Sequence, residues 1–167
     1  MIYRRQQMEI TLRINENISV ERAAKLTELG NLIEEGILME QDFQSAVKLY
    51  MLAAKAGEPE AVYHMGRVYM NGIGVAQNTA KAKLYFKQGA NSGNTDSIVA
   101  IGGIYKDEGS IEQALYCFKL AAEADNLDGI IGYAGLLEET GGDIEELMQM
   151  YRKAAGLGSA DAAEALG

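Results

Sequence analysis

Residues 61–93 read AVYHMGRVYMNGIGVAQNTAKAKLYFKQGANSG, and the fold turns on the glycines at their centre. Gly72-Ile73-Gly74 is either a loop that cradles a phosphate or the bend between two helices. A phosphate loop needs Gly-x-x-x-x-Gly-Lys-Ser/Thr, or Gly-x-Gly-x-x-Gly between a strand and a helix, so that backbone amides converge on the anion. Residues 72–77 read GIGVAQ, with no third glycine. Beyond them Ala82, Tyr85, Phe86 and Ala90 recur at helical spacing. The stretch reads as a helical hairpin, and the glycines as its bend.

The hairpin recurs along the chain. LGNLIEEG (29–36), MGRVYMNG (65–72), IGGIYKDEG (101–109) and YAGLLEETG (133–141) align, and each precedes a second block. The second blocks register on Ala54, Ala90, Ala122 and Ala155, at steps of 36, 32 and 33, and SADAAEALG (159–167) opens a fifth unit. Ser110-x-x-Gln113 and Asp143-x-x-Glu146 have capping-box spacing, which predicts helix starts. Gly57, Gly93 and Gly158 stand where a helix ends in a left-handed residue. Ala114, Cys117, Phe118, Ala121 and Ala122 form an apolar stripe on another second helix, where small alanines permit close helix approach. Hairpins of this period cannot bury their faces alone, and stacking them gives an α-solenoid.

Residues 61–93 resemble the Sel-one-like repeat, a relative of the tetratricopeptide repeat. Ala61, Gly66, Tyr69, Gly72, Gly74, Val75, Lys81, Ala82, Tyr85, Phe86, Ala90 and Gly93 follow that family's pattern in order. Met65 stands for its leucine, Tyr85 for its tryptophan, Gly89 for an alanine and Asn78 for its aspartate. The resemblance implies an all-α, right-handed α/α superhelix of four helical pairs and a terminal helix. It divides the chain into repeats at about 21–57, 58–93, 94–125 and 126–158, with a partial repeat at 159–167. It also implies a non-catalytic protein-interaction scaffold without cofactor or metal, whose first helices line a concave binding face.

Charge narrows the partner class. The net charge is −9; residues 1–83 hold ten Lys/Arg and ten Asp/Glu, whereas residues 84–167 hold five against fourteen. An acidic half-chain argues against nucleic acid, which needs phosphate-neutralising cations, and favours a basic protein surface. An acidic inhibitor or immunity protein that blocks a basic enzyme is the alternative reading. One cysteine, Cys117, excludes an internal disulfide. No stretch approaches the roughly 20 apolar residues of a membrane span, and the amino terminus lacks the apolar core of a signal peptide, so no membrane partner and a cytoplasmic setting are expected.

Candidate chemistry is sparse. His64 is the sole histidine, read as a surface or groove residue, and Cys117 as a buried small hydrophobe. Glu34-Glu35, Glu138-Glu139 and Glu145-Glu146 read as solvated helix ends, and Tyr69 and Tyr105 as packing residues. Repeat register predicts the concave face from Thr27, Glu28 and Asn31; Tyr63, His64 and Arg67; Val99, Ala100 and Gly103; and Ile131, Gly132 and Gly135. Of these Tyr63, His64, Arg67, Val99, Gly103, Ile131 and Gly135 are the candidate protein-binding residues. Residues 1–18 are set apart as an N-terminal arm. Within it Met8, Ile10, Leu12 and Ile14 alternate with polar residues, a strand pattern, and its arginines make it a candidate homodimer device against the acidic half.

Overall fold

The computed structural model describes residues 18–37 and 41–167. The alternating segment at 8–14, and with it the dimer arm, lies outside these residues. Among the described residues all regular structure is helical: α1 (Val20–Glu34), α2 (Phe43–Lys55), α3 (Pro59–Asn71), α4 (Thr79–Asn91), α5 (Thr95–Asp107), α6 (Ile111–Glu123), α7 (Leu127–Thr140), α8 (Ile144–Gly156) and α9 (Ala160–Ala165). The helices form two compact units, one ending at Gly89 and one running from Ala90 to Gly167.

Local chemistry explains the element ends. Gly57, Gly93 and Gly158 take φ of +84°, +80° and +97°, as expected; Asp125 fills the same role in the third repeat at +58°. A non-glycine residue in that conformation is strained, and Lys153 offsets the strain: its Nζ binds the Asp125 carboxylate at 2.7 Å and the Ala122 carbonyl at 2.5 Å. Asp143 caps α8 through the Glu146 amide at 2.8 Å, but Glu146 does not complete the box; its carboxylate binds Lys119 and Tyr133 instead. Ser110 makes no side-chain cap, so that expected box is absent.

The Gly72–Val75 bend is closed on itself. Gly72 (φ +70°) and Gly74 (φ +66°) are left-handed, and the Ile73 and Asn78 amides donate to Val68 and Tyr69 carbonyls of α3 at 3.0 and 2.8 Å. Gln77 Nε2 takes the Met70 carbonyl at 2.8 Å. Asn78, which replaces the aspartate, still caps α4 by accepting from the Lys81 amide at 2.9 Å. Amides turned to α3 carbonyls are unavailable to a phosphate.

Each unit buries its own core through one recurring device, a ring laid on a glycine of a first helix. In the first unit a Cβ on Gly30 would stand 2.5 Å from the Tyr50 ring, and one on Gly66 would stand 2.3 Å from Phe86. In the second unit Phe118 lies against both Gly102 and Gly132, at 3.0 and 2.7 Å from such an atom. Ala134 occupies the corresponding place in the fourth repeat and is buried. Around these rings Ala46, Ala53, Ala61, Ala82, Ala114 and Ala121 are fully covered, which confirms the close helix approach read from the alanines. Caps also bridge successive repeats. Glu58 accepts from the Ala61 amide (2.6 Å) and from Thr27 (2.8 Å), and Asn126 caps α7 while donating to Thr95 (3.2 Å) and Asp96 (2.7 Å).

Candidate protein-interaction site

The residues expected to form a concave surface lie on first helices, and several of them face inward. In the first unit the His64 ring lies flat on Tyr50, with centroids 4.5 Å apart and planes 6° apart, and the residue is only 8% exposed. It is a packing residue, not the surface or groove residue read from the sequence. The reason is register: His64 follows Ala61 by three, and so joins the covered face of α3 with Ala61, Val62, Met65 and Val68. Thr27 is likewise buried, held by Glu58. Tyr63, Arg67 and Asn31 are half-buried and Glu28 is exposed.

Behind them lies a polar cluster that the sequence did not announce. The Tyr50 hydroxyl lies within donating distance of two acceptors, Glu34 Oε2 at 2.6 Å and Asn31 Oδ1 at 2.7 Å. Arg67 reaches Glu34 at 3.4 Å and His64 Nδ1 at 3.2 Å. Glu34 is thus not a solvated helix end: its side chain is 15% exposed and serves two partners. Glu146 is a second exception, held by Lys119 and Tyr133, while Glu35, Glu138, Glu139 and Glu145 are exposed as expected. The one signal that could have exposed the cluster was the polar residue Asn31 three positions before Glu34 on one helix face.

This cluster sets two titrations. Burial, then the hydrogen bond to Glu34, pushes the Tyr50 hydroxyl well above its ordinary value. Burial, then the Arg67 guanidinium, holds the His64 imidazole below its ordinary value, against the opposing pull of Glu34 and Glu60. Because an arginine only donates, His64 Nδ1 must accept, and the ring is neutral with its proton on Nε2 toward Glu60, 3.7 Å away. A histidine whose folded pKa is depressed binds fewer protons folded than unfolded. Its contribution to stability is therefore intact at neutral pH and shrinks as pH falls through the unfolded value of about 6.5. Urea unfolding at pH 7.5 and 5.5 should show a smaller acid loss for His64→Gln than for wild type; equal losses would refute a buried neutral imidazole.

In the second unit α5 and α7 lie side by side and present a plainer surface. Ile131 is 48% exposed, and Val99, Ala100, Gly103 and Gly135 are half-buried. A Cβ added to Gly103 or Gly135 would meet nothing within 4 Å. Gly132 differs: the Phe118 ring covers it, so it belongs to packing and leaves the expected binding set. Cys117 is buried and burial pushes its thiol up, as a small hydrophobe requires. Tyr69 and Tyr105 pack against the cores of their units. Among the described residues no cluster of His, Cys, Asp and Glu could hold a metal, and no helix is long and apolar enough to cross a membrane.

The Sel1 repeat family model matches residues 26–58, 59–94 and 102–126, more than half of the chain. The chain belongs to the Sel1 repeat family. The first matched segment takes in most of the α1–α2 hairpin, the second all of α3–α4, and the third most of α5–α6. Two solved Sel1-type structures share the fold. One is c5321, a protective antigen present in uropathogenic Escherichia coli strains and displaying an SLR fold; it is 26% identical, with a TM-score of 0.76 over 86% of this chain and 32% of its own. The other is a Sel1 repeat protein from Oxalobacter formigenes, 24% identical, with a TM-score of 0.79 over 86% of this chain and 62% of its own. The chain thus spans about a third of the first and under two thirds of the second. The fold is an all-α helical-repeat solenoid of the Sel1 type, and the family supports a role as a protein-interaction scaffold.

Proposed function

We propose that this Sel1 repeat chain is a non-catalytic adaptor that binds a protein partner on the concave, first-helix face of its units. The observation that carries the reading is the pair of neighbouring helices α5 and α7, which carry exposed Ile131, half-buried Val99 and open positions above Gly103 and Gly135. Helical glycines weaken a helix by about 1 kcal/mol relative to alanine, and where no ring packs on them their small size instead leaves room for an approaching chain. In the first unit Tyr63 and Arg67 supply a polar counterpart. His64 supports them from beneath, stacking on Tyr50 and accepting from Arg67.

The fourteen acids of residues 84–167 favour a partner with a basic surface. A pull-down with the full chain, identified by mass spectrometry, supplies the partner for the test. Ile131→Asp should then weaken binding at least about tenfold with little change in melting temperature, since exposed substitutions barely move stability. Affinity should also fall as salt rises. Unchanged binding by Ile131→Asp would remove this surface, and turnover of a substrate by the purified chain would remove the adaptor reading. Arg67→Ala is a poorer probe, because it leaves Glu34 without its cation. A homodimer through residues 1–18 belongs to the same proposal; sedimentation of the chain with and without them tests it, and two monomers would reject it.

A further inference from the structure

We infer that the outer side of α4 carries a second docking site, which takes an acidic peptide segment bearing a bulky apolar side chain. Lys81, Leu84, Tyr85 and Gln88 fall at i, i+3, i+4 and i+7 of α4, one helix face. On the same helix Ala82, Phe86 and Gly89 are buried. Together with Tyr69 from the end of α3, the first set lines a pocket of about 340 Å³, within the size range of ligand sites.

The pocket combines two chemistries. Tyr69 and Tyr85 stack with centroids 5.6 Å apart and planes 11° apart, giving an aromatic wall, and Leu84 stands at the rim 68% exposed. The Lys81 ammonium lies 5.0 Å from the Tyr69 centroid. None of the lining residues is a carboxylate. Lys81 is the one charged residue of the lining, in a chain whose net charge is −9. A basic segment meets like charge there. A purely apolar ligand would cover Lys81 without a counter-charge, which is unfavourable. A glutamate or aspartate next to an aromatic or aliphatic residue satisfies both halves: the acid pairs with Lys81 and the apolar side chain lies on Leu84 and the tyrosine rings. This site lies mainly on α4, a second helix, and its one charged lining residue is a cation.

The test uses the full chain and a fluorescein-labelled nine-residue peptide, a central phenylalanine flanked on each side by glutamates, read by fluorescence anisotropy. Saturable binding is expected. Lys81→Glu and Leu84→Glu should each weaken it at least about tenfold, and Lys81→Met, which keeps the stem, should weaken it less. Leu157→Glu, on an exposed position of the second unit, should leave it unchanged. Helical circular dichroism spectra like that of wild type confirm that the variants are folded. No saturable binding overturns the inference, as does equal binding of a peptide with lysines in place of the glutamates, or affinity indifferent to both Lys81→Glu and Leu84→Glu. A wild-type dimer in sedimentation that Lys81→Glu dissolves would assign the pocket to a second copy of the chain, and would likewise overturn a separate partner.

Discussion

Alanine at Phe118 is expected to destabilise the chain by about 3–5 kcal/mol, and alanine at Phe86 by a similar amount. Both rings are covered, Phe86 against Gly66 and Phe118 against Gly102 and Gly132, which have no side chain with which to fill the space a ring would vacate. Phe118 contacts Gly102 of α5 and Gly132 of α7, so one ring joins two first helices, and its removal opens a void at the centre of the second unit. A domain of this size has roughly 5–15 kcal/mol of total stability. The loss is therefore a large fraction of the whole, and Phe118→Leu serves as the milder companion, expected to lose clearly less. Urea unfolding followed by circular dichroism measures both. A loss below about 1 kcal/mol for Phe86→Ala and Phe118→Ala together would mean that the rings do not hold the hairpins.

Alanine substitution of glycines should change sign with position, although every one of these glycines is helical. Gly66→Ala places a Cβ 2.3 Å from the Phe86 ring, and Gly132→Ala places one 2.7 Å from Phe118. A neighbour must shift in each case, and overpacking of this kind costs about 1–3 kcal/mol, more than the gain of about 1 kcal/mol in helix propensity. Gly103→Ala and Gly135→Ala meet nothing within 4 Å, so only the propensity gain remains and both should stabilise by up to about 1 kcal/mol. The four midpoints in urea decide the matter. Stabilisation by Gly66→Ala, or destabilisation by Gly103→Ala, would show that the ring contacts are not where the structure has them.

The two predictions rest on facts of different origin. Helix positions and hairpin bends were legible in the sequence because their causes are local. A left-handed residue after a helix selects glycine at 57, 93 and 158, and the spacing of Ala82, Phe86 and Ala90 is the helical period itself. Even locally the reading had limits. Asp125 performs the glycine's role as a short polar residue that tolerates the left-handed region, with Lys153, 28 positions away, on its carboxylate, and Ser110 has capping spacing yet makes no side-chain cap.

Tertiary structure alone decided which small or polar residues of the first helices face inward. Gly132 and Gly135 are one residue type on one helix, three positions apart; the first is closed by a ring from α6 and the second is open. His64 and Arg67 are likewise three apart on α3, yet one stacks on Tyr50 of α2 while the other is half-exposed. Helical periodicity places both members of each pair near one face, but which member a neighbouring helix covers depends on where its aromatic side chain lands. That position is set by packing across residues far apart in the chain, and a pattern of nearest neighbours does not contain it.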